Sequence, residues 1–167
     1  MDSGNLVLHE TDYQRIHAIL ERTQKDLRAH LVMLIDRSGH QIACEGPDQE
    51  IDQTALASLA AANLAATDGL AHLVGETGFS ALAHQGRHRS LHISGLLKQF
   101  SLVLLFDASA SLGRVRWKVK LASAMLEDVF QDFQRRMEKG GHSADSFQDR
   151  SFSPHFSDEE LEELLGP

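Results

Sequence analysis

Between Glu10 and Ala29 the apolar residues Tyr13, Ile16, Ile19, Leu20 and Leu27, with Thr23 in register, recur every three or four positions. One such stripe on an otherwise charged segment predicts an amphipathic helix. The period then shortens. "HLVMLID" and "HQIACE" read as two strands around the turn Asp36-Arg37-Ser38-Gly39, where glycine tolerates a positive φ, and the hairpin ends at Gly46-Pro47. A second helix is expected over "LASLAAANLAATDGLAHLVGE", Leu56 to Glu76, capped by Asp52 and closed by Gly75 or Gly78. Three strands follow: "FSALAHQ" before Gly86, "SLHIS" before Gly95, and "FSLVLLFD" ending at Asp107. The last is almost unbroken in its apolar run, which predicts a central strand covered on both faces. Leu112, Val115, Val119, Ala122, Leu126, Val129, Phe130, Phe133 and Met137 trace a long third helix with one apolar face. The order helix, two strands, helix, three strands, helix, with hairpin links, implies an antiparallel sheet between helical layers.

The second helix poses a question of bulk. Alanine has the best helix propensity, yet Ala57, Ser58, Ala60, Ala61, Ala62, Ala65, Ala66 and Gly69 cover most of its cylinder and bury little side-chain volume. Small faces let backbones approach closely, which suits packing on another helix or a flat protein surface. On this reading Leu56, Leu59, Leu70 and Leu73 anchor the helix to the sheet, leaving Ala57, Ala61, Ala65, Asp68 and Gly69 for a neighbour. The alternative is an internal helix pressed tightly on its own sheet.

After Met137 the periodicity stops. "EKGGHSADSFQDRSFSPH" is polar and nonperiodic, the composition of a linker, and "FSDEELEELLGP" then resumes as a short amphipathic segment with Ser157 and Glu160 placed as a capping box. Alone in water so short a helix is marginal, so the segment is either a solvated acidic tail or a motif that folds on a partner. Much of the net charge of −8 lies here, where seven acids from Asp145 to Glu163 face only Lys139 and Arg150. That balance argues against a nucleic-acid surface. No apolar run approaches a membrane span, "MDSGNLVLHE" lacks the features of a secretory signal, and Cys44 is the single cysteine, so a cytoplasmic protein without disulfides is expected.

Chemistry of its own is hard to find. GxxxxGK[ST], GxGxxG and HExxH are all missing. His84, His88 and His92 invite a metal, but the reading places the first and last on different strands and the second in a turn. Arg87, Arg89, Arg114 and Arg116 could reach a phosphate on a partner, and Asp36 and Asp107 could form a carboxylate pair; solvated arginines and turn or cap roles explain them as well. No intrinsic active site, cofactor or metal is expected.

The segments "LVLHE", "LIDRSGHQIA", "IDQTALASLAAANLAATDGLAHLVGE", "LVLLFDASASLGRVRWKVKLAS" and "FSDEELEELL" together resemble the Roadblock/dynein-light-chain family, in particular its bacterial cell-polarity branch. The resemblance implies an α+β, three-layer αβα sandwich of Roadblock/profilin type with a five-stranded antiparallel sheet, over residues 1–138. It divides the remainder into a linker, 139–155, and an acidic interaction segment, 156–167. It further implies a homodimer whose second helices pair and whose third strands join the two sheets. The helix platform then docks a small Ras-like GTPase through Ala57, Ala61, Ala65, Asp68, Gly69 and His72, and accelerates its hydrolysis without an arginine finger. Phe156, Leu161, Leu164 and Leu165 would make a second contact linked to nucleotide exchange. Such proteins act in cell polarity or gliding motility and can concentrate at a cell pole, with other polarity proteins as further partners. The alternative is a non-catalytic Roadblock scaffold or adaptor.

Overall fold

The computed structural model describes residues 9–47 and 50–139. The elements are α1 (Glu10–Leu27), β1 (Leu31–Asp36), β2 (Gln41–Glu45), α2 (Gln53–Leu73), β3 (Ala81–Gln85), β4 (Arg89–Leu96), β5 (Phe100–Asp107) and α3 (Leu112–Lys139). This is the element order that the hydrophobic pattern predicts. Boundaries differ locally: β4 runs past Ser94 through Gly95 to Leu96, because its ladder with β5 continues to the Leu96 and Phe100 pair. The linker and the terminal segment, with Phe156, Leu161, Leu164 and Leu165, lie outside the described residues.

All strand pairs are antiparallel, in the order β2-β1-β5-β4-β3. β5 is central, as its apolar run requires, pairing with β1 from Leu31 and Leu105 to Asp36 and Phe100. On one face α1 and α3 enclose Val32, Leu34, Leu102, Leu104 and Phe106 with Ile16, Leu20, Val119, Leu126 and Phe130. Phe100 stacks on Phe130 with centroids 4.2 Å apart. On the other face α2 covers Leu31, Met33, Ile35, Ile93 and Val103. The result is three layers, α1 and α3, the sheet, then α2. Each large apolar side chain so buried contributes on the order of 1.5–3 kcal/mol.

α2 corrects the expected division of its faces. Ala57, Ala60, Thr67 and Ala71 are the buried residues, while Leu59, Leu70 and Leu73 are 69%, 58% and 83% exposed. Of the four expected anchors, only Leu56 packs toward the sheet. The cause lies in the sheet, which supplies the bulk from Leu31, Met33 and Ile35, so that the helix must offer small residues to settle on them. Gly39 belongs to the same close approach. It has φ +85, and a Cβ there would lie 2.8 Å from the Cα of Ser58 in α2.

Candidate functional site

Asp52 begins α2 by accepting a hydrogen bond from the Ala55 amide at 2.9 Å, which fixes where the helix enters. The C-terminal half of α2 then forms one wall of a groove of about 530 Å³. The α2–β3 connection supplies Phe79, and the β4–β5 turn supplies Leu97 and Lys98. Of the sequence-derived contact residues, Ala61, Ala65, Asp68 and His72 line this groove. Gly69 is exposed beside them, and a Cβ there meets nothing within 4 Å. Ala57 is different. It is fully buried against the sheet, so it offers no surface to a partner and leaves the set.

Arg37, from the β1–β2 turn, joins the walls. It donates to the Lys98 carbonyl at 3.0 Å and pairs with Asp68 at 3.2 Å. Both ends of the pair are solvated, so it contributes positioning and little stability. His72 donates from Nδ1 to the Asp68 carbonyl at 2.7 Å, which fixes its ring to the helix. The β4–β5 turn places two consecutive non-glycine residues, Leu97 at φ 50 and Lys98 at φ 59, in the left-handed region. Sequence reasoning missed Arg37, Leu97 and Lys98. The one available signal was that "GLLKQF" turns the chain with Leu-Lys where Asn-Gly is the ordinary choice.

Along the outer surface of α2, Leu59, Ala62, Ala66, Gly69, Leu70 and Leu73 are all exposed and follow helical spacing. Large residues at both ends flank a small-residue centre. Exposed apolar surface of this kind is in general associated with protein, ligand or membrane contacts.

The remaining candidates separate. His84 and His92 point to opposite faces of the sheet, since His92 registers with Ala83 and His84 with Leu91. His84 lies against Asn63 at 3.1 Å on the α2 side. His92 is buried on the α3 side, and burial, with the Arg116 charge nearby, pushes its pKa down. Among the described residues no group of three or more His, Cys, Asp or Glu converges as a metal-ligand set. Asp36 and Asp107 stand at opposite ends of the β1–β5 ladder. Asp36 accepts from the Ser38 and His40 amides; burial opposes its charge, but these bonds prevail and hold its pKa below the ordinary value. Asp107 pairs with His30 at 2.8 Å. Arg114 donates to the Asp26 carbonyl at 2.8 Å.

A Roadblock/LC7 domain model matches residues 15–106, and the chain belongs to the Roadblock/LC7 family. Its three layers and five-stranded antiparallel sheet are that fold. Within the family the similarity is to MglB. Myxococcus xanthus MglB is 41% identical, with a TM-score of 0.72 over 77% of this chain and 96% of that one. The gliding protein MglB of Thermus thermophilus is 35% identical, with a TM-score of 0.71 over 77% and 97%. An MglB with a tetrameric arrangement is 34% identical, with a TM-score of 0.72 over the same shares. No curated protein matches the chain. No helix among the described residues is long and apolar enough to cross a membrane.

Proposed function

We propose that this chain is a homodimeric regulator of a small Ras-like GTPase of the MglA type, and that it accelerates GTP hydrolysis by repositioning the GTPase's own catalytic groups. The observation that carries the reading is the unpartnered outer surface of α2, with Leu59, Leu70 and Leu73 exposed around Ala62, Ala66 and Gly69. An apolar helix face long enough for two partners suits both a twin helix and a docked protein. The likeness to MglB supports the same assignment. The docking set becomes Ala61, Ala65, Asp68, Gly69 and His72, and β3, an edge strand, is free to extend the sheet to the twin. A finger-free mechanism agrees with Arg37, the arginine lining the groove, being held by Asp68 and the Lys98 carbonyl. The segment 156–167 is assigned the second contact and an influence on nucleotide exchange.

The test is phosphate release by the Ras-like GTPase of the same genome, with the full chain, with a chain ending at Lys139, and with Gly69→Arg. Gly69 is exposed and a Cβ there meets nothing within 4 Å, so the substitution enters where the protomer leaves room for it. Orienting water and charge-stabilising groups is worth several powers of ten in such hydrolysis, so acceleration by the full chain is measurable. Gly69→Arg is expected to abolish the effect. Persistence of acceleration by a dimeric Gly69→Arg protein overturns the docking surface. Binding without acceleration by the parent leaves the adaptor reading in its place.

A further inference from the structure

On the side of the sheet opposite α2, α3 packs through Val115, Val119, Ala122, Leu126 and Phe130 into the core that it shares with α1. Its first three turns run beside β4 and the residues that open β3. There a second groove of about 600 Å³ opens between α3 and the β3–β4 hairpin. Its polar lining is Arg116, Lys120 and Ser123 from α3, His92 and Ser94 from β4, and Ser80 before β3. The spacing explains the convergence. Residues 116, 120 and 123 share one helical face, and residues 92 and 94 share one face of their strand.

The lining has an unusual balance. His92 and Ser94 are 2% and 6% exposed, and neither His92 Nδ1 nor Ser94 Oγ has a hydrogen-bond partner. Buried polar atoms are paired in the great majority of cases, so two neighbouring exceptions that line one groove call for an occupant. Arg116 and Lys120 make no side-chain ion pair or hydrogen bond among the described residues, and no carboxylate lines the groove. A water molecule would satisfy the imidazole and the hydroxyl alone, whereas the exposed Arg116 and Lys120 bring two positive charges to the rim of a groove lined by no carboxylate.

We propose that this groove is an anion site for a phosphate group, either free phosphate or the phosphate of a small ester, held by Arg116 and Lys120 with hydrogen bonds from His92, Ser94 and Ser123. A guanidinium fork, an ammonium and hydroxyl donors are the set that a tetrahedral oxyanion takes. The groove is larger than phosphate alone and has room for an organic part. It opens on the α3 side of the sheet and shares only Ser80 and Gly95 with the groove beside α2, so the variants that test it are placed on α3, away from the docking residues of α2.

The experiment uses the full chain and follows the His92 imidazole by NMR while inorganic phosphate is added, with sodium chloride at matched ionic strength as control. Phosphate at low-millimolar concentration is expected to move the His92 signal and to raise the Tm by a few degrees through linkage. Arg116→Gln with Lys120→Gln, both exposed, should keep the phosphate-free Tm and lose affinity by about tenfold or more. Glycerol 3-phosphate separates the sources. A response equal to phosphate assigns recognition to the phosphate alone, and a stronger one assigns the rest of the groove to an ester; either supports the site. A His92 signal that follows only ionic strength, or a double variant that responds like the parent, overturns it.

Discussion

Asp12, in the first turn of α1, has no exposed surface, and Arg136 near the end of α3 donates to its Oδ1. Removing one partner of such a pair strands a buried charge, whereas replacing both with apolar residues is often neutral. Arg136→Met is therefore expected to cost about 3 kcal/mol in urea unfolding, and Asp12→Leu with Arg136→Met to recover most of it. Equal destabilisation by single and double variants would show that packing, not the pair, holds the helices. Cys44 offers a second residue-scale test. Burial, with Glu45 beside it, pushes the thiol up to about 11. At pH 8 the folded chain then holds about a hundredfold less thiolate than the unfolded one, and disulfide reagents should modify it correspondingly slowly. The sign is that of an acid raised on folding: its contribution is complete below the unfolded value of 9.0 and is lost as pH rises toward 11. Equal labelling rates with and without urea would refute the shielding.

At the scale of elements, the β4–β5 turn shows where the chain departs from local preference. Two consecutive left-handed residues without glycine cost on the order of 1 kcal/mol each, and the Arg37 bond to the Lys98 carbonyl helps to hold them. Leu97→Asn with Lys98→Gly should stabilise the protein by about 1–2 kcal/mol in urea unfolding. No gain would mean that the turn is unstrained. The same exchange removes a leucine and a lysine from the groove beside α2, so phosphate release by the GTPase checks whether the strain is kept for contact. α2 itself was half legible. Its helical state followed from propensity and the Asp52 cap, whereas its facing did not, because a helix of alanines carries almost no amphipathic signal to orient it. Which side met the sheet was decided by Leu31, Met33 and Ile35, residues distant in sequence.

For the molecule as a whole, the strands and long helices were readable because their apolar periods are strong: the run in "FSLVLLFD" predicted the central strand, and the hairpin turns predicted the antiparallel ladder. The two grooves were not readable. Each is assembled from side chains that topology alone brings together, as with Arg37 and Lys98, or His92 and Arg116. The histidines of "HQGRHRSLH" were legible as far as their strands: the sequence separates His84 and His92 across a hairpin, and the register adds that they face opposite sides of the sheet.

The buried Asp12 and Arg136 pair has a consequence beyond stability. It fastens the last turns of α3 to the first turn of α1, so the first and last elements of the described chain hold each other. Helix ends ordinarily fray singly and at little cost. Here release of either end leaves the buried Asp12 carboxylate without its guanidinium, so the two ends open together.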